Sequence, residues 1–463
     1  MEPDCIVHLR PSLLINIFSM KHLSLLFLSF LLSWGSLKSQ ERLVSRDFVF
    51  AMKKATDIML NDVTSPVAAS RYYAYISLAS YEVISRYDSV HYPSMSGIVN
   101  KFTGIQLDRS RLQQTDQGLA AVLTVFKAAE KLLPSGYMMR KEIDSLQLLW
   151  SKTSTAKQLY ENTNNIVMAA VAQMVSYARA DGFTKLSNMP RYTPKTGDAF
   201  WQPTPPAFMS ALEPHWNKLR PFFMDSAQQF VPARPVVYSK AKNSSYYKLL
   251  KEVYDMGNNQ TKEQALIASF WDCNPFAVQQ IGHVEFGLKK ISPGGHWMGI
   301  TGIACIRSGL SLFQTAAVHA LVAITLADAF IACWDEKYRS NRIRPETVIH
   351  RLIDPRWKPL LQTPPFPEYL SGHSVCSNAA ASMLTRIFGD GFAFTDDTEV
   401  EFGLPSRQFS SFNLAAEEAA ISRLYGGIHF RDAIELGKWQ GRKVGNLAVK
   451  KFQHQLTLLK ASN

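Results

Sequence analysis

Residues 364–380 read PPFPEYLSGHSVCSNAA. A proline-rich, extended approach breaks at Ser371-Gly372-His373 and runs at once into small, helix-forming residues. A helix start presents free N–H groups and the positive end of the helix dipole, a combination that favours anions. Ser371 and His373 add two side-chain donors to that end. Taken alone, the same serine reads more readily as an ordinary N-cap, so the decision rests on the surrounding chain.

Upstream lies CWDEKYRSNRIRPETVI, residues 333–349, where Lys337 and Arg344 stand seven apart and Pro345 follows. Seven residues make two helical turns, so both cations can project from one face. Pro345 disfavours the helical conformation at Arg344 and turns that side chain inward from an ending helix. Downstream lies SRLYGGIHF, residues 422–430, with Arg423 and His429 six apart across two glycines. Singly, a basic run reads as a solvated face, Arg423 as a structural ion-pair residue and His429 as a core histidine. Together the three stretches supply two arginines, a lysine, a helix-start Ser-Gly pair and two histidines, with no acid in the set. That inventory suits a compact tetrahedral oxyanion held by guanidinium forks and an ammonium. Two histidines on opposite sides could serve as nucleophile or ligand and as general acid/base.

The rest of the chain reads as helical. Apolar residues recur at three- and four-residue spacing over 66–85, 115–133, 141–152 and 157–179, and again over 244–256 and 261–271. Between 187 and 240 the pattern fails in favour of proline and aromatics, which predicts an ordered loop or partial lid rather than a flexible linker. Residues 308–334 are apolar on nearly every face but carry Gln314, His319 and Asp328. This reads as the buried central helix of a bundle rather than a membrane span. Further helices are expected over 374–388, 413–426 and 431–456. The expected fold is all-α: two packed helical bundles, 40–240 and 241–463, with the anion pocket in the C-terminal one.

Composition is that of a globular chain: 463 residues, 46% hydrophobic and 19% charged, without low-complexity tracts. Translation is expected to start at Met20. The basic start, the apolar run Leu23–Leu32 and the small residues before Gln40 read as a signal peptide cleaved near Ser39, hence an exported, periplasmic or secreted protein. Removal of residues 1–39 takes Lys and Arg from 50 to 47 and Asp and Glu from 38 to 36, so the formal charge moves from +12 to +11. The basic residues are scattered and no nucleic-acid motif is present, so the charge identifies no partner by itself. Cys273, Cys305, Cys333 and Cys376 follow the leader without a Cys-x-x-Cys pair, so neither a zinc site nor a dense disulfide framework is indicated.

The motif order resembles the superfamily of vanadium-dependent haloperoxidases and type 2 phosphatidic-acid phosphatases: Lys, six residues, Arg-Pro; then Ser-Gly-His; then Ser-Arg, five residues, His. The resemblance implies that Lys337, Arg344 and Arg423 bind the equatorial oxygens of vanadate, with Ser371 and the Gly372 N–H as further donors. It implies His429 as the axial ligand of the metal and His373 on the opposite side as acid/base. Hydrogen peroxide and a halide would be the substrates. The alternatives are a soluble exported acid phosphatase, in which His429 attacks phosphorus of a phosphoester to form phosphohistidine, and a non-catalytic anion-binding protein.

Several details separate these readings. The phosphatases carry an Asp four residues after the nucleophilic histidine, where this chain has Ala433; Asp432 and Glu435 are the nearby acids. Trp334 before Lys337 and the PPFPEY segment resemble fungal chloroperoxidases, with Phe366 matching an aromatic near the halide site. Leu370 replaces the proline expected before Ser371. Asp272, in FWDCNPF, is a loose match to an upstream Asp that supports the pocket arginine. His296, in GGHWMG, stands near aromatics, and both residues also read as structural groups at helix ends.

Overall fold

Helix boundaries follow side-chain caps. Ser65, Ser292, Ser311, Ser371 and Ser411 each accept a hydrogen bond from the backbone N–H three residues on, satisfying a donor that no carbonyl of the helix can reach. The computed structural model describes residues 43–461 except 276, 282, 283, 288 and 289. The expected leader, start and cleavage positions lie outside the described residues.

The helices that build the core and the site are α1 (Ser45–Asn61), α2 (Pro66–Tyr87), α3 (Gln117–Leu132), α4 (Ser154–Arg179), α5 (Ser245–Asn258), α6 (Lys262–Phe270), α7 (Pro293–Arg307), α8 (Leu312–Ser340), α9 (Pro345–Leu352), α10 (Gly372–Phe388), α11 (Phe412–Tyr425) and α12 (Arg431–Lys451). The all-α expectation holds. The described strands form two small antiparallel hairpins, Val278–Ile281 with Val284–Gly287 and Phe394–Asp396 with Arg407–Phe409.

Helix α8 is the axis of the fold. It packs against α2 on one side and α10 and α12 on the other, while α3 and α4 continue the layer beyond α2 and α11 the layer beyond α10. Its most apolar 18-residue window has mean hydropathy 2.0 and is wholly buried within the protein. Each fully buried Leu, Ile or Phe there contributes roughly 1.5–3 kcal/mol. Asp328, the charge that interrupts the apolar run, accepts the N–H groups of Phe222, Phe223 and Met224 at 2.6, 2.8 and 2.8 Å. It thereby fastens the proline- and aromatic-rich segment, whose Trp201, Trp216, Phe222 and Phe223 are buried. That segment is the expected ordered loop, anchored from beneath.

Of these twelve helices, three escape the sequence pattern: α1, α7 and α9. The glycines of α7 lower its intrinsic helix propensity, but they let neighbours approach closely. A Cβ at Gly302 would lie 2.8 Å from Val49 and one at Gly299 2.6 Å from Thr398. Packing overrides propensity here. The helix expected over 431–456 divides at Phe452. Lys337 and Arg344 do not share one helix face: α8 ends at Ser340, Asn341 adopts the left-handed conformation at φ 52°, and Arg344 is the extended residue before α9.

Candidate active site

The three motif stretches meet where α8 ends and α10 begins. Ser371 caps α10, and its own N–H donates to Ala433 O at 3.1 Å, seating the loop on the start of α12. The two helices then run in close contact. A Cβ at Gly437 would lie 2.8 Å from Ser374 and one at Gly441 2.2 Å from the Val375 carbonyl.

Lys337 and Arg344 converge on the PPFPEY segment. Lys337 Nζ donates to the carbonyls of Pro367 and Glu368 at 3.0 and 3.2 Å and to that of Leu370. Arg344 Nε donates to Phe366 O at 2.9 Å, and its second nitrogen donates to Ile428 O at 2.9 Å and faces His429 Nε2 at 3.2 Å. Both cations lie over the Phe366 ring, at 4.9 and 5.0 Å from its centroid. Burial lowers Lys337 to about 7 and Arg344 to about 10. The remaining Arg344 nitrogen, NH2, is buried without a partner. Arg423, from α11, donates to Ser422 Oγ and Ala268 O at 3.0 and 3.2 Å. Burial lowers its pKa as well, against the opposing pull of Asp272.

His429 owes its orientation to an acid that the sequence reading did not connect with it. Its Nδ1 lies 2.8 Å from Glu368 Oε1, which also accepts the Phe430 N–H at 2.9 Å. A carboxylate cannot donate, so Nδ1 carries the proton and Nε2 keeps its lone pair toward Arg344. Burial, then Arg344 and Lys337, hold the His429 pKa well below the usual range, so the ring is neutral. Asp432, one of the acids considered for this task, instead takes both terminal nitrogens of Arg342 at 2.6 and 2.7 Å. Arg342 Nε in turn donates to Glu368 Oε2 at 2.6 Å. Glu435 pairs with Lys438 at 2.7 Å. The signal that could have found Glu368 is a lone charge inside an apolar, proline-rich run, since a buried carboxylate demands partners.

His373 is also held neutral, with its pKa well below the usual value through burial and then Arg423 and His429. Its Nε2 has no partner, so its hydrogen bond to the Trp271 backbone runs through Nδ1. His373, His429, Arg423 and Gly372 line one narrow cavity together with Trp334 and Phe366, two rings whose centroids are 4.9 Å apart. Asp272 lies in the same wall but pairs directly with Lys290. His296 lies outside the lining, buried against Trp271.

An orphaned guanidinium nitrogen, three buried cations and a histidine lone pair describe a site short of negative charge and fitted to a tetrahedral oxyanion. Residues 317–457 match the family model for the second helical-bundle domain of VCPO. The solved structure of a bacterial vanadium-dependent iodoperoxidase is similar over 90% of this chain and 98% of that one, with 43% identity and a TM-score of 0.83. The chain belongs to the vanadium-dependent haloperoxidase family. A bacterial vanadium-dependent chloroperoxidase shares the fold at 15% identity and a TM-score of 0.61, over 88% of this chain and 93% of that one. No curated protein matches the sequence. Within this haloperoxidase chain the residues fit vanadate on their own chemistry, through the unpartnered Arg344 nitrogen and the His429 Nε2 lone pair.

Proposed function

We propose that this protein is a vanadate-dependent haloperoxidase that uses hydrogen peroxide to oxidise a halide. The observation that carries the reading is the neutral His429, fixed by Glu368 with its Nε2 lone pair among cations that have no acid of their own. His429 Nε2 would ligate the metal; Arg344, Arg423, the Ser371 hydroxyl and the Gly372 N–H would hold the oxygens. Lys337, with three carbonyls around its ammonium, would supply positive charge and hold the 367–370 loop. Bound vanadate supplies Lewis-acid polarisation of peroxide. His373, with Nδ1 tied to the backbone and Nε2 open, would accept the proton that hydrogen peroxide gives up and pass it to the oxygen that leaves as water. Trp334 and Phe366 exclude water from the cavity wall where a polarisable halide would enter. The relative named as an iodoperoxidase makes iodide the first halide to test.

Glu368 bears on the phosphatase alternative too. A carboxylate behind His429 would also serve a nucleophilic histidine, so Ala433 does not discriminate between the two chemistries. The test therefore has two arms: vanadate-free protein is assayed with and without vanadate for iodide, bromide and chloride oxidation, and separately for phosphoester hydrolysis. Halide oxidation should require vanadate and be abolished in His429→Ala. In His373→Ala it should fall about 10²–10⁴-fold, the usual worth of a general base, with vanadate affinity largely kept. Phosphoester hydrolysis by the vanadate-free protein, without vanadate-dependent halide oxidation, would overturn the proposal.

A further inference from the structure

Behind the cavity wall lies a second buried cluster that the haloperoxidase reading leaves without a role. Cys273, beside Asp272 in that wall, His296 in the first turn of α7 and Glu399 after the Phe394–Asp396 strand come together from three distant segments. All three are buried, Cys273 at 2%, His296 at 0% and Glu399 at 4% exposure. Cys273 Sγ is 3.5 Å from His296 Nδ1, Glu399 Oε1 is 3.3 Å from the same nitrogen, and all three atoms lie within 4.8 Å of one another.

We infer that Cys273, His296 and Glu399 form a site for a divalent transition metal, best suited to zinc. Zn–S bonds of about 2.3 Å and Zn–N and Zn–O bonds of about 2.0–2.1 Å, at tetrahedral angles, require ligand separations of about 3.5 Å for S···N and about 3.3 Å for N···O. The two observed separations match these edges. The far side of the imidazole is prepared as a metal-binding histidine requires: Nε2 lies 2.8 Å from Asp396 Oδ2, and Asp396 is itself held by the Thr398 N–H and hydroxyl at 3.1 and 2.7 Å. Nε2–H is donated to Asp396 and Nδ1 faces the thiol and the carboxylate; against the effect of burial, Asp396 raises the His296 pKa well above its usual value, so a metal would displace the Nδ1 proton. Trp271 stacks on the ring at 4.4 Å and fixes its plane.

Hydrogen bonding alone leaves the cluster incomplete. Nδ1 can serve one partner, and Glu399 Oε1 is buried without a hydrogen-bond donor. A divalent ion would take the thiolate, the imidazole and the carboxylate at once, two negative charges against two positive, and release the thiol and Nδ1 protons to solvent. Water completes the fourth position. The ion would tie the Asp272–Asn274 stretch of the cavity wall to α7 and to the turn after Asp396.

The test uses untagged, chelator-treated, vanadate-free protein titrated with Zn²⁺ and Co²⁺, and needs no turnover. One equivalent of each should bind, Zn²⁺ should displace Co²⁺, and the Co²⁺ form should show thiolate-to-metal charge-transfer absorption. Cys273→Ser should lose that absorption, and Glu399→Gln should weaken Zn²⁺ at least tenfold. Failure of the parent protein to bind one equivalent, or a Co²⁺ form without the charge-transfer band, would show a hydrogen-bonded triad instead and overturn the site. So would a band retained in Cys273→Ser.

Discussion

Replacing Glu368 by Gln isolates what the buried carboxylate does for His429. Glu368 is wholly buried and accepts from His429 Nδ1 at 2.8 Å, the Phe430 N–H at 2.9 Å and Arg342 Nε at 2.6 Å. An amide cannot reproduce this set. With its oxygen toward His429, its NH₂ meets the Arg342 guanidinium, donor against donor. With the oxygen toward Arg342, the NH₂ faces Nδ1 and drives the ring proton to Nε2, removing the lone pair from the cavity. Loss of one charge-assisted hydrogen bond should cost about 1.5–3 kcal/mol of stability, the bidentate Asp432 pair limiting the damage at Arg342. Two effects on the site oppose each other. A deleted negative charge at roughly 8 Å and an effective dielectric of 20 favours any bound anion by about 2 kcal/mol. Loss of the ligand's orientation should lower vanadate-dependent turnover roughly 10–100-fold. The signature of Glu368→Gln is therefore split: sulfate, which needs no ligand bond, binds at least as tightly as in the parent, while halide oxidation collapses. Calorimetry with sulfate and a vanadate-reconstituted iodide assay measure the two halves, with Asp432→Asn as the comparison. Parent-like turnover in Glu368→Gln, or a larger loss in Asp432→Asn, would refute the assignment of Glu368 as the residue that orients His429.

Two further outcomes follow from packing and from charge. Gly441→Ala places a Cβ 2.2 Å from the Val375 carbonyl, so α12 must move off α10 and stability should fall by about 1–3 kcal/mol, read by denaturant unfolding. Lys337, lowered by burial to about 7 in the anion-free protein, is charged below that pH and must take up a proton to meet an anion above it. Sulfate affinity should fall as pH rises above about 7, by at most tenfold per unit, with proton uptake visible as a buffer-dependent heat. The same depressed value means that Lys337's contribution to the stability of the anion-free protein is present above its unfolded pKa and is lost as pH falls through 7.

The donors of the site were legible in the sequence because each sits in a stretch with its own punctuation: Arg344 before Pro345, Ser371 before Gly372, His429 after two glycines. The carboxylate behind His429 was not. Glu368 is adjacent to neither histidine in the chain, and the acids that are close in sequence, Asp432 and Glu435, face Arg342 and Lys438. Proximity along a helix predicts contact only when both residues stay on it, and His429 precedes the start of α12. The central helix α8 was legible from its uninterrupted apolar faces, whereas α7 was not. A run containing Gly294, Gly295, Gly299 and Gly302 carries a weak helical signal, and the contacts that hold it come from Val49 and Thr398, far away in the chain.

The arrangement of acids explains why the pocket has a net demand for an anion. Arg342 takes up both nearby carboxylates, Glu368 and Asp432, so no acid pairs directly with Arg344 or Lys337 further in, and the one excess negative charge, on Glu368, acts on them only from a distance. Those two are held by carbonyl oxygens instead, from Phe366, Pro367, Glu368, Leu370 and Ile428. Carbonyls orient a cation without cancelling its charge, and burial then disfavours that charge, as the lowered values of both groups register. An entering oxyanion relieves the imbalance of Lys337, Arg344 and Arg423 in a single event. The same balance keeps His373 and His429 neutral before it arrives. Two neutral histidines, each with an unprotonated Nε2, thus follow from one choice: Glu368 and Asp432 stand behind the cations, and Asp272, in the wall, pairs with Lys290.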